Sequence, residues 1–309
     1  MDKVISEVEL DGQRVVRLRS DLLEVDVVPR VGGRIVRLRH LETDYEFLWK
    51  NQRLQLEPMP PGSEYDPHFY GGIDELLPND IPETIDGIAC PDHGELWTAG
   101  LDWRVDGESL VLEGELPLCG LTYEKRMRLR ADSPRLDFHY RIGNPTDRQR
   151  HFLWKLHAAL AVAEGDLIDC PARQAQVVDL EYSRFDTLKP FPWPEIQGQR
   201  ANVVPASEEG TVDFFYLFDL EAGRMAWKRP SRGLTFEYAF DTATFPYAWL
   251  FASYGGFDGH YTVVLEPCTT MPISVNDAAR EGTCGRLAPG ETLETEVSIH
   301  AGPTARKEA

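Results

Sequence analysis

Apolar and polar side chains alternate along most of this chain. Leu121, Tyr123, Met127 and Leu129 fall on one side of a period-two pattern, with Thr122, Glu124, Arg126 and Arg128 on the other. The pattern returns in Leu136, Phe138, Tyr140 and Ile142, in Leu234, Phe236, Tyr238 and Phe240, and in Thr295, Val297 and Ile299. Successive side chains of a strand point to opposite faces, so each run predicts a half-buried antiparallel strand. The signal begins early, in Val15-Val16-Arg17-Leu18-Arg19 and again over 22–28. Asp11-Gly12, Asp106-Gly107, Gly143-Asn144-Pro145 and Pro289-Gly290 supply turns between strands. Helical periodicity is nearly absent, and one short turn is predicted over Asn276 to Glu281. The expected fold class is all-β, a large antiparallel β-sandwich of twisted sheets. No linker, internal repeat or low-complexity tract interrupts it, so residues 1–309 read as a single domain.

Three stretches break the alternation. Residues 55–75 are rich in proline, glycine and aromatics; residues 78–100 contain Pro91-Asp92-His93-Gly94-Glu95-Leu96-Trp97; residues 181–212 contain Lys189-Pro190-Phe191-Pro192-Trp193-Pro194. Long irregular segments on a β scaffold either carry a site or cover sheet edges.

Within the apolar run Val263-Val264-Leu265-Glu266-Pro267, one carboxylate is delivered near a strand end. A buried acid is costly unless it is paired or has a task. His157 sits inside another apolar run, Phe152 to Leu160, as a core histidine or as one facing a cavity. His93 lies in a loop beside Gly94, exposed or at a ligand. Together His93, His157 and Glu266 would form a proton-transfer set. Two histidines and a glutamate are also acceptable zinc ligands, but the chain has neither an H-x-H nor an H-E-x-x-H spacing, and no metal is expected. It also lacks a G-x-S-x-G elbow, a P-loop and a dinucleotide glycine fingerprint, so no cofactor is expected.

The formal net charge of -19 is spread along the chain and opposes binding to nucleic acid or an anionic membrane. Basic residues in Arg126-Met127-Arg128-Leu129-Arg130 alternate with apolar ones, as on the wet face of a strand. Five scattered cysteines without a C-x-x-C pair suit reduced thiols packed as small hydrophobes. Met1-Asp2-Lys3-Val4 opens no signal peptide, and no apolar run approaches the roughly 18 residues of a membrane span. The expectation is a cytoplasmic protein.

The order of these pieces resembles the aldose 1-epimerase (galactose mutarotase-like) superfamily. The resemblance rests on VVPRVGGRIVRLRH at 27–40, GGIDELLPN at 71–79, PDHGELW at 91–97, FLWKLHAAL at 152–160 and VVLEPCTTMP at 263–272. An L-x-P-G-E-T-L-E-T segment at 287–295 completes it, so nearly the whole chain is covered. The resemblance implies a β-supersandwich that interconverts sugar anomers without a cofactor. It implies Glu266 as the base at the anomeric hydroxyl, His157 as the acid at the ring oxygen, and His93 as the second histidine near that oxygen.

The chain also departs from the better-known branches. Gly71-Gly72-Ile73-Asp74-Glu75 stands where galactose-type enzymes carry an Asn-Arg pair, and Trp97 where hexose-6-phosphate mutarotases carry an arginine. Without that guanidinium a bidentate phosphate contact is lost, so an unphosphorylated sugar is the expected ligand. Asp74, Trp97, Arg34 and Trp249 are the candidate sugar contacts, the tryptophans by stacking on the ring or else as core. Three classes stay open: a mutarotase, a sugar-binding or sugar-sensing protein of the same fold without turnover, and a glycosidase or lyase pairing Glu266 with Asp74 or Glu75. The partner in each is a small-molecule carbohydrate, with a homodimer possible.

Overall fold

The computed structural model describes residues 4–10 and 12–304. Asp11 of the Asp11-Gly12 turn and residues 1–3 of the N-terminal segment lie outside the described residues. Among the described residues, two antiparallel sheets dominate, one of twelve strands and one of eight. Their facing side chains build a shared core. Leu18, Val25 and Leu38 of the large sheet join Leu110, Leu112, Met127, Phe138 and Val297 of the small one. This is the all-β sandwich that the alternation predicts.

The period-two pattern sets which residues enter that core. In Leu121–Leu129 every second residue from Leu121 is buried, and Arg126 and Arg128 lie outside, paired with Asp106 and Glu108. The pattern admits one passenger that hydrophobicity would exclude: Lys125, between Tyr123 and Met127, is only 1% exposed. Its ammonium donates to Glu75 and to the Gly33 carbonyl, at 3.0 and 2.9 Å. Glu75 also accepts from Tyr140 at 3.0 Å and from Tyr123. A buried charge is tolerated only with such partners.

The short helix occupies Val275–Glu281, one residue longer than the sequence suggests. The Ser274 side chain accepts from the Asp277 amide at its start, and Gly282 closes it in the left-handed conformation. No helix among the described residues is long and apolar enough to cross a membrane.

At the centre of the large sheet, the strands run in the spatial order Ile73–Leu76, Lys155–Ala161, Tyr261–Cys268, Tyr247–Tyr254 and Thr211–Leu220. Trp154, Leu156, Ala158 and Leu160 point into the core between the sheets. Lys155, His157 and Ala159 therefore point to the opposite face. There Ala159 packs with Val264, Tyr65, Phe69 and Trp97. All three irregular stretches, 55–75, 78–100 and 181–212, reach over this outer face and border one cavity.

Candidate active site

The cavity holds about 220 Å³. That is below the roughly 300–1,000 Å³ of clefts for drug-sized ligands, so it fits one small molecule. Its floor is built by the two central strands. Lys155 and His157 share a face because they are two residues apart, and Glu266 stands on the neighbouring strand, cross-paired with Trp249 on its far side. His93 arrives from the 78–100 loop and Tyr65 from the 55–75 loop. Tyr182, Phe214, Phe251, Phe257, Ile81 and Ile273 give the cavity a half-buried apolar wall.

Each imidazole has its own carboxylate. His157 Nδ1 is 2.9 Å from Asp74 Oδ1, in line with the register that pairs these two residues across the strands. Its Nε2 faces Glu266 Oε1 at 3.8 Å, longer than a hydrogen bond. His93 Nδ1 is 2.8 Å from Asp92 Oδ1, and its Nε2 is 3.9 Å from Asp80 Oδ1. Tyr65 ties the two halves together. It stacks flat on His93 with ring centroids 4.1 Å apart, and its hydroxyl donates to Asp74 Oδ2 at 2.8 Å.

His93 occupies the left-handed region at φ 58, and Gly94 follows at φ 72. A side chain at Gly94 would put its Cβ 2.4 Å from the Leu77 carbonyl oxygen. The backbone therefore threads a gap that only glycine passes. The His93 amide donates to the Asp80 carbonyl at 2.6 Å and holds this uncommon conformation in place.

Charges inside the site are arranged against burial. Desolvation alone would raise the Asp74 carboxyl, but Arg34, His157 and the Tyr65 hydroxyl hold it well below the usual carboxylate range. Asp80 is likewise kept below its ordinary value, with Lys155 and His93 outweighing burial. Burial would lower His93, yet Asp80 and the Asp92 hydrogen bond raise it. Lys155 is raised in turn by Asp80 and Glu266, against the effect of burial.

His93, His157 and Glu266, far apart along the chain, line this one cavity. The four candidate sugar contacts do not. Asp74 is 1% exposed behind His157, clamped by Arg34 Nη2 at 2.5 Å. Arg34, also 1% exposed, spends its other contact on the Gly71 carbonyl at 2.8 Å. Trp97 packs edge-on against Tyr65, and Trp249 lies fully buried with its indole N–H on the Thr270 carbonyl. They support the wall from behind: the register sets Asp74 beside His157 and Trp249 beside Glu266 on the same face, but Tyr65 stands against Asp74 and Lys155 over the Trp249 ring. Glu75 points between the sheets, on the opposite face from Glu266, so these two carboxyls cannot share a substrate. Among the described residues, no group of three or more His, Cys, Asp or Glu has the arrangement of a metal site.

Sequence reasoning overlooked Lys155, Asp80 and Tyr65. Lys155 left a signal: a lysine two residues before His157, inside an otherwise apolar strand. Asp80 and Tyr65 left none, since irregular loops have no period to place their side chains.

No protein-family model matches the sequence. Solved structures do. A galactose mutarotase-like protein from Clostridium acetobutylicum aligns with 98% of this chain and 99% of its own, at 15% identity and a TM-score of 0.73. A galactose mutarotase related enzyme from Lactobacillus acidophilus aligns over 98% of both chains, at 12% identity and a TM-score of 0.66. A galactose mutarotase-like protein from Lactobacillus casei ATCC 334 aligns with 93% of this chain and 99% of its own, at 12% identity and a TM-score of 0.67. Over essentially its whole length, the chain has the galactose mutarotase-like fold.

Proposed function

We propose that the protein is an aldose 1-epimerase-type isomerase that interconverts the anomers of an unphosphorylated sugar without a cofactor. The observation that carries this reading is the convergence of His93, His157 and Glu266 on one small cavity in a galactose mutarotase-like fold. Glu266 takes the proton of the anomeric hydroxyl while His157 protonates the ring oxygen. The C1–ring oxygen bond breaks, and the open-chain aldehyde rotates about C1–C2. Closure reverses both proton transfers: His157 removes the proton from the ring-forming hydroxyl and Glu266 returns its own to the carbonyl oxygen. Asp74 stabilises the imidazolium form of His157, and His93 supports the ring oxygen. General acid and general base contribute roughly 10²–10⁴-fold each.

Charge supports the unphosphorylated substrate. Lys155 is the one lysine or arginine among the described lining residues, and it is already held between Asp80 and Glu266. Asp66 and Asp92 add further negative charge, so a phosphate would meet repulsion.

Polarimetry or saturation-transfer NMR on freshly dissolved aldoses tests the reading. Acceleration over buffer with one or more neutral aldoses is expected, and none with their phosphates. Glu266→Gln and His157→Ala should each lower kcat at least about 10²-fold with unchanged far-UV circular dichroism. No acceleration across a broad panel would defeat the proposal. One feature favours a second reading, a sugar sensor without turnover: the ion pair that engages Glu266. Tight calorimetric binding of a sugar that is not anomerised would select it.

A further inference from the structure

We infer that Lys155 is a positioning residue, which ion-pairs the Glu266 carboxylate and turns it so that Oε1 alone faces the ligand. This rests on the reading of Glu266 as the base. Lys155 is 2% exposed, and its ammonium lies 2.7 Å from Glu266 Oε2 and 2.5 Å from Asp80 Oδ2, over the Trp249 ring at 4.7 Å. With Oε2 engaged, Oε1 is the oxygen left 3.8 Å from His157 Nε2. That gap exceeds a direct hydrogen bond but suits a ligand oxygen pair touching both groups.

The ammonium also joins two halves of the site, pairing with Asp80 on one side and Glu266 on the other. Around the floor the signs alternate: Asp92, His93, Asp80, Lys155, Glu266, His157, Asp74, Arg34. Lys155 is the fourth of these eight, with one histidine and two carboxylates on either side of it and Arg34 at the far end. Remove its charge, and Asp80 and Glu266 become two buried carboxylates facing each other across a desolvated floor. Like charges and burial both favour protonation of such a pair. The groups that bear on Glu266 are Lys155 and His157 from the adjacent strand, the Cys268 thiol on its own strand and the Tyr65 hydroxyl from above, with Asp80 of the 78–100 loop reaching it through Lys155.

The test is a carbon-13 NMR titration of the Glu266 side-chain carboxyl, assigned through Glu266→Gln, in the wild type and in Lys155→Met. We expect the midpoint to rise by about 1–3 pH units when the ammonium is lost, and Lys155→Arg to return it most of the way. The acid limb of the kcat/KM profile should move up by the same amount, which a merely structural role would not produce. If Lys155→Met does not fold, Lys155→Met/Asp80→Asn removes one of the two unpaired charges, and a smaller rise is expected. An unmoved Glu266 midpoint in whichever variant folds overturns the inference. The two readings fail separately. A wild type that anomerises no sugar, with a Glu266 midpoint that still rises in Lys155→Met, defeats the isomerase proposal and supports the hold of Lys155. A wild type that turns over, with Lys155→Met matching it at every pH, defeats only the role of Lys155.

Discussion

His93 and Gly94 show how much of this site depends on single backbone positions. The histidine is presented to the cavity from a left-handed conformation, and the next residue has no room for a Cβ. Gly94→Ala should therefore lower the unfolding free energy by about 1–3 kcal/mol and displace the imidazole from its stack on Tyr65. Urea unfolding and the loss of activity in the folded fraction measure both. The charge state of His93 is linked to stability as well. Asp80 and Asp92 raise it against burial, so the folded chain binds that proton more tightly than the unfolded one. Its contribution is complete below the unfolded value of about 6.5 and is lost as pH rises through the raised folded value. Urea midpoints should thus fall as pH rises above about 6.5 in the wild type, and fall less in His93→Gln.

In the strands, alternation decides which face a residue joins, and charge then has to be accommodated there. Asp74 and Glu75 are neighbours on Ile73–Leu76 and point to opposite sides. Asp74 backs the cavity and is paired with Arg34 and His157; Glu75 enters the core and is paired with Lys125 and two tyrosines. A one-residue slip would exchange them and leave both acids among the wrong partners, so the two networks pin the register of the strand that positions His157. Glu75→Ala leaves the Lys125 ammonium buried without its carboxylate and should cost about 3–5 kcal/mol. Glu75→Leu with Lys125→Met, which removes both charges together, should be clearly less destabilised in chemical denaturation.

Across the molecule, the net charge of -19 sits on a compact sandwich and repels itself. Raising ionic strength from about 0.01 M to 0.15 M shortens the screening length from roughly 30 to 8 Å. The thermal midpoint should rise over that range, and a calorimetric scan that shows it flat would mean the surface ion pairs already offset the repulsion. The same acidity reaches the cavity through Asp66, Asp80, Asp92 and Glu266, consistent with a neutral ligand.

The two sheets were legible in the sequence, because half-burial writes a period of two into strands such as Leu121–Leu129 and Arg135–Gly143. The three irregular stretches were legible for the opposite reason, as breaks in that period, and each reaches the cavity. Glu266 and His157 stood out as polar residues inside apolar strands. Which polar residue faces a ligand and which stands behind it was a different matter. Asp74, Arg34, Trp97 and Trp249 carry the chemistry of sugar contacts but lie one layer back, while Lys155, Asp80 and Tyr65 stand at the wall. Local periodicity assigns a side chain to a face of its own strand. It carries no information on the strand that pairs beside it or the loop that folds over it, and those long-range neighbours alone bring Lys155, Glu266 and Asp80 within ion-pair distance.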